Sequence, residues 1–133
     1  MIEPIVLVHG GAGDIPVERY EGKLRGVKLA ARLGYKELTK YGSVIRAVEA
    51  AVRSMENDDY FNAGYGSVLT SEGKVEMDAS IMDGKTLKAG CVTGIEDILN
   101  PITVAKHVME KSAHNFLGGK GAMDFAKKQV FLL

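Results

Sequence analysis

Two stretches of this sequence have the residue types of a site. The first is His9-Gly10-Gly11, followed by Ala12-Gly13 and preceded by the apolar run Ile5-Val6-Leu7-Val8. Glycines behind a strand let the backbone approach other groups closely and take up positive φ. A His-Gly-Gly run at such a point can serve as an oxyanion loop, but that chemistry needs a Gly-x-Ser-x-Gly elbow to carry the nucleophile. Ser67 follows Gly66 but precedes Val68-Leu69, so the elbow is missing. The plain alternative is a strand-to-loop turn. The second stretch runs from Met55 to Gly84 and holds Asn62 between Phe61 and Ala63, with Gly64 and Gly66 just behind. A carboxamide there can donate and accept, and so orient a polar group. Tight glycine loops also turn carbonyls inward, where a hard cation can be held by oxygen. Each feature has an ordinary reading too. Glu56 to Asp59 can be a solvated acidic loop. Met55, Met77 and Met82 can be core filler. Asp78 and Asp83 fit sheet and turn roles better than an acid/base pair. His107 and His114 have no companion at ligand spacing.

These residues need a frame. Ile5–Val8 reads as a buried strand entering the glycine loop. Tyr20, Leu24, Val27, Ala31 and Leu38 recur at helical spacing, which predicts a helix over about 18–40 ended by Gly42. Ser43 caps a second helix with Val44, Val48, Ala51, Val52 and Met55 on one side. These two helices are expected to cover one face of a sheet. A short strand at Val68–Thr70, a hairpin turn at Ser71–Lys74 and a strand with Val75, Met77, Ala79 and Ile81 on one side follow. Asp83-Gly84 turns into a third strand, Leu87–Gly94. Asn100-Pro101 opens a helix with Ile102, Ala105, Val108 and Met109 as its stripe. Gly118-Gly119 breaks the chain before a last helix over 121–129. Antiparallel strands flanked by helices predict an α+β class and disfavour a doubly wound nucleotide-binding fold. So few strands leave sheet edges that need a partner.

The 133 residues suit one small domain, and 46% are apolar, enough to build a core. Lys+Arg and Asp+Glu both number 17, so nothing selects nucleic acid or an anionic membrane as partner. Cys91 is the only cysteine, so no internal disulfide forms. No apolar stretch approaches ~18 residues, and the start lacks a basic signal-peptide region. A cytoplasmic protein without a membrane span is the expectation.

Three stretches carry a resemblance to the plant-type L-asparaginase/isoaspartyl peptidase family, which are threonine-dependent N-terminal-nucleophile hydrolases. They are Ile5–Gly13; Gly42-Ser43 with Ala47–Val52; and Phe61–Leu69 continuing through Val75–Gly84. Asn100-Pro101-Ile102 and Val108–Lys111 fit as well. The resemblance covers the chain to about Ala126. It implies that residues 1–133 are the α-subunit part of one domain, half of a four-layer αββα sandwich completed by a β chain. That β chain would begin with the nucleophilic threonine, whose own α-amine is the general base. The precursor would cleave itself, and the product would assemble as (αβ)2. Substrates would be L-asparagine and isoaspartyl dipeptides.

Residue by residue, the resemblance implies that His9, Gly10 and Gly11 form the loop beside the cleavage site and that Asn62 helps place the threonine. The carbonyls of Met55, Glu56, Asp58, Phe61, Ala63 and Tyr65 match the family's structural sodium loop. No catalytic cofactor is implied. None of Thr39, Thr70, Thr86, Thr93 or Thr103 has the nucleophile's context, and Val130–Leu133 does not resemble an autocleavage end. A lone chain is therefore expected to be inactive. The other reading is a truncated asparaginase-like fragment that acts only by binding.

Overall fold

The computed structural model describes residues 3–129. Val130–Leu133 lie outside the described residues. The architecture is α+β, with four helices and a three-stranded sheet. The helices are α1 (Tyr20–Tyr41), α2 (Val44–Glu56), α3 (Pro101–Lys111) and α4 (Gly119–Lys128); the strands are β1 (Met77–Met82), β2 (Ala89–Ile95) and β3 (Phe116–Gly118).

The α1–α2 corner forms as its sequence dictates. Gly42 sits at φ +64° and gives its N–H to Leu38 O at 2.8 Å, closing α1 with a left-handed residue. Ser43 Oγ then accepts from Arg46 N at 3.3 Å and caps α2. The buried side of α1 is not the expected apolar stripe. It is Gly22, Gly26, Ala30 and Gly34, while Tyr20 and Leu24 are exposed. Small residues four apart form a groove that admits neighbours to the helix backbone. A Cβ on Gly34 would stand 2.9 Å from Ala47 O and 3.2 Å from Ala51 Cβ, so α2 packs directly on this strip. Likewise α2 buries Ala47 and Ala51, and its Val44 and Val48 stay exposed. Its Ile45 and Val52 rest against the core built by α3 and the sheet. The main packing of α1 is therefore on α2, and that of α3 and α4 on the sheet.

β1 shows the expected alternation: Met77 and Ile81 are buried, Asp78, Ser80 and Met82 exposed. It pairs antiparallel with β2, with Ser80 opposite Cys91 and Ala79 opposite Val92. The turn between them is organised by Asp83, whose carboxylate accepts from Lys85 N at 3.0 Å and Thr86 Oγ1 at 2.7 Å. The sheet is mixed, because β3 joins β2 in parallel, placing Phe116 opposite Cys91. β3 ends on Gly118, the first residue of the expected break, and α4 starts at Gly119, two residues earlier than expected. The three residues of β3 are too few for a periodic signal. Val68–Thr70 is not a strand: Thr70 N and Lys74 O close the expected hairpin turn at 2.8 Å, but no ladder extends from it.

Ile5–Val8 is also not a laddered strand. It carries no regular structure and lies against α1, with Val6 Cγ1 3.3 Å from where a Gly34 Cβ would stand. Its outward residues are bare, Ile5 at 86% and Leu7 at 93% exposure. The alternation of a strand is present and its neighbours are not.

The core joins Met77, Ile81, Val92, Ile95, Ile102, Val104, Val108, Ala122 and Ala126. α3 lies so close to β2 that a Cβ on Gly90 would collide with Ala105 O and stand 2.5 Å from Met109 N. We expect Gly90→Ala to cost about 1–3 kcal/mol through overpacking, measured by urea unfolding of the full-length protein. An unchanged midpoint would show that the contact is looser than described.

Candidate functional site

The glycine loop and the Asn62 loop meet on the N-terminal half of α1. The glycine strip makes this possible. Tyr60 lies over Gly22, where any Cβ would enter its ring. Phe61 lies over Gly26, where a Cβ would stand 2.5 Å from Phe61 Cε2 and 2.9 Å from Asp58 Oδ2. Gly10 closes on the same ring: its Cβ would be 3.1 Å from Phe61 Cε1 and 2.7 Å from Val27 Cγ1. Two cations of α1 and its approach fix the arrangement. Lys23 Nζ lies 5.3 Å from the Phe61 ring centroid and donates to Gly10 O at 3.3 Å. Arg19 lies 4.8 Å from the Tyr60 centroid and donates to Asp59 O at 2.6 Å.

On this platform Asn62 is exposed. Its Oδ1 accepts from Val68 N at 2.9 Å, and no acceptor for its Nδ2 lies among the described residues. The carboxamide is thus held by its oxygen with two N–H groups to offer. His9 is exposed as well, and its Nδ1 accepts from Gly11 N at 3.2 Å. That bond places the ring proton of neutral His9 on Nε2. His9, Gly10 and Gly11 are therefore brought to the loop that bears Asn62. Among the described residues no serine, threonine or cysteine hydrogen-bonds to the ring of His9 or His114, so the assembly can orient a reacting group but pairs no nucleophile with a base.

The expected sodium carbonyls surround a 3-10 turn at Gly64–Gly66. A Cβ on Gly64, whose φ is +53°, would strike Glu56 O; one on Gly66 would strike Phe61 O and stand 3.0 Å from Asp58 O. Met55 O, Asp58 O and Ala63 O accept from the amides of Asp58, Phe61 and Gly66. Among the described residues no backbone amide donates to the carbonyls of Glu56, Phe61 or Tyr65. The carbonyls of Glu56, Asp58 and Phe61 thus crowd on two glycines, and oxygens of this kind are the donors a hard cation takes. No cluster of His, Cys, Asp and Glu suited to a metal occurs among the described residues.

Glu56 does more than lend a carbonyl, and it is not part of a solvated acidic loop. Its side chain is 2% exposed. Oε1 accepts from Ile102 N at 2.9 Å and Oε2 from Asn100 Nδ2 at 3.0 Å. The last residue of α2 therefore caps α3, a task that Asn100 does not perform with its own side chain. Asn100 instead links Glu56, Asn57 Oδ1 at 2.9 Å and Arg53 Nε at 3.2 Å. Sequence reading missed this pair; the signal available was a carboxylate at the end of one helix and a Pro-led helix start at the next. Asp78 is held by Thr93 Oγ1 at 2.6 Å and Gly94 N at 3.0 Å, which together lower its pKa. His107 lies half-buried in α3, its pKa lowered chiefly by burial. Met77 is core, whereas Met82 is exposed.

The sequence matches the asparaginase family over residues 2–132. The chain belongs to the asparaginase family. It is 52% identical over 130 residues to a probable isoaspartyl peptidase/L-asparaginase of Drosophila pseudoobscura pseudoobscura, covering 95% of this chain and 40% of that protein. It is 55% identical over 127 residues to a plant-type L-asparaginase of Pyrococcus abyssi, covering 95% and 41%. To the isoaspartyl peptidase/L-asparaginase of Homo sapiens it is 53% identical over 126 residues, covering 94% and 41%. The chain thus spans about two fifths of the length of these relatives. No helix among the described residues is long and apolar enough to cross a membrane.

Burial raises the Glu56 carboxyl from 4.5 to about 6, against the lowering influence of Ile102 N–H, Asn100 and Arg53. The folded protein therefore holds this proton more firmly than the unfolded chain. The stability it contributes is full below pH 4.5 and is lost as pH rises through about 6. Compared with Glu56→Gln, which does not titrate, the wild-type protein should gain on the order of 2 kcal/mol between about pH 7 and about pH 4. Denaturant unfolding of both proteins at the two pH values measures this. Parallel pH profiles would contradict the buried carboxylate.

Proposed function

We propose that this chain is the α part of an amidohydrolase that cleaves L-asparagine to aspartate and ammonia and hydrolyses isoaspartyl dipeptides. The attacking hydroxyl in this reading is that of a threonine opening a β chain, freed by self-cleavage of a precursor. Its α-amine serves as base, and water resolves the acyl-enzyme. The observation that carries the reading is the unladdered segment Ile5–Val8. It has the burial alternation of a strand, with Val6 and Val8 half-buried, Val6 against α1, and Ile5 and Leu7 bare. A run of this kind with bare apolar side chains favours pairing with further strands. A second support is the sheet. α3 and α4 cover one face, and the other presents Asp78, Ser80, Met82 and Phe116 uncovered. A second sheet stacked there would give the four-layer αββα sandwich.

In this assembly the chain's own residues position and support. Asn62, anchored through Oδ1 to Val68 N, turns its N–H groups toward the threonine and fixes it. The His9–Gly11 loop, clamped by Lys23 and Phe61, closes the site beside the cleavage point. The carbonyls around Gly64 and Gly66 would hold a sodium ion that stiffens the Asn62 loop, a structural and not a chemical contribution. The working unit is (αβ)2 in the cytoplasm.

Co-production of this chain with a β chain starting in threonine should give asparagine and isoaspartyl-dipeptide hydrolysis. The 133-residue chain alone should give none. Asn62→Ala in the complex should lower kcat by at least about tenfold with the fold intact, as expected for lost orientation. Full activity of the lone chain, or no activity of any complex, would refute the proposal. Sodium is tested separately. Replacing choline chloride by sodium chloride at equal ionic strength should raise Tm, by the equivalent of about 2.7 kcal/mol at a hundredfold excess over Kd. Equal Tm values would remove the ion.

A further inference from the structure

One cavity lies away from Asn62. It is a groove of about 650 Å³ between the C-terminal half of α1, the outer side of α2 and α3. Its charged lining is Lys36, Glu37, Arg46, Glu49, Arg53 and Lys106. Four of these cancel in pairs. Arg46 Nη2 lies 3.3 Å from Glu37 Oε2, and Lys106 Nζ lies 2.7 Å from Glu49 Oε2. The second pair is well sheltered, its side chains 18% and 12% exposed, and Thr103 Oγ1 also donates to Glu49 at 2.9 Å. Two cations are left over. Among the described residues Lys36 Nζ has no carboxylate within ion-pair distance, and Arg53 spends only its Nε, on Asn100 Oδ1 at 3.2 Å. Among the described residues the rest of the Arg53 guanidinium has no hydrogen-bond acceptor. The groove is therefore lined by four cationic side chains against two carboxylates, with Arg53 acting also on the nearby buried Glu56, in a volume that suits a small organic ligand.

Arg53 also links the groove to the site described above. Its Nε holds Asn100, Asn100 Nδ2 holds Glu56 and Asn57, and these two residues begin the carbonyl loop that leads to Asn62. A ligand that fixes the guanidinium would stiffen that network from outside, since fork-like donors order around a carboxylate.

The geometry points to a second binding site in this groove for a small dicarboxylate, one carboxylate on Arg53 and the other on Lys36, with binding transmitted through Asn100 to residues 57–66. The chemistry fits any compact α,ω-dicarboxylate, free aspartate included. It requires neither the β chain nor the threonine for binding, so it stands or falls apart from the proposed reaction.

Succinate is the probe, because it lacks the α-amino group that substrates of the proposed reaction share. Calorimetric titration of the full-length protein with succinate, at constant ionic strength, should show saturable binding. Lys36→Gln should weaken it about tenfold, and Lys36→Gln with Arg53→Lys further still, while acetate should bind far more weakly than succinate. Lys36 is exposed and makes no hydrogen bond through its side chain, so its variant should fold normally. Amide exchange across residues 57–66 should slow when succinate is bound and should not slow in Lys36→Gln. Absence of saturable binding, equal affinity in Lys36→Gln, or binding without slower exchange in 57–66 would each overturn the inference.

Discussion

One buried carboxylate ties the helical layer together. Glu56 ends α2, and its two oxygens are taken by the first free amide of α3 and by Asn100. A carboxylate at a helix N-terminus is favourable because the unpaired amides there carry partial positive charge. Removal from water opposes this, and the raised pKa shows that desolvation is the larger effect. The link therefore specifies geometry more than it adds stability. It sets where α2 stops, where α3 starts, and the course of the loop from Asn57. That loop carries the crowded carbonyls and Asn62, so the placement of the site follows from a contact some distance from it.

The second constraint is close approach along α1. Glycine is a poor helix former, costing roughly 1 kcal/mol against alanine in a helix interior. Three glycines on one strip are intelligible only if something must come near. Tyr60, Phe61 and the backbone of α2 do so. Phe61 is the piece shared by the glycine loop and the Asn62 loop, and both Gly10 and Gly26 yield to its ring. The rigidity of the platform comes from contacts to backbone, with Lys23 and Arg19 as outer clamps.

What was legible in the sequence follows the locality of the signal. The Gly42-Ser43 corner, the Pro101 start of α3, the alternation of β1 and the Asp83 turn are set by neighbours within a few residues, and each formed as expected. The buried side of α1 was misjudged because apolar periodicity was weighed and glycine periodicity was not. A strip of small residues reads as a weak helix until the partner that fills it is known. β3 and the Glu56–Asn100 link depend on residues tens of positions apart. No local pattern announces such pairings. At the candidate site, Asn62 and His9–Gly11 were singled out by type and setting, and the structure brings their loops together on Phe61. The carbonyl loop came only from family resemblance, since backbone ligation leaves almost no mark on side-chain identity.

Ile5–Val8 shows how a sequence can specify more than its own segment satisfies. The alternating burial of Val6 and Val8 against Ile5 and Leu7 is what a strand inside a sheet presents. Only one side of that requirement is met, by α1. Along the strand direction, no backbone ladder forms among residues 3–129. Exposed β-branched and leucine side chains beside open backbone donors and acceptors are unfavourable in water and prone to pairing. The same holds for the uncovered face of β1–β3, where Phe116 stands 61% exposed beside Ser80 and Cys91. These two open faces lie on different elements, and both present apolar side chains to water.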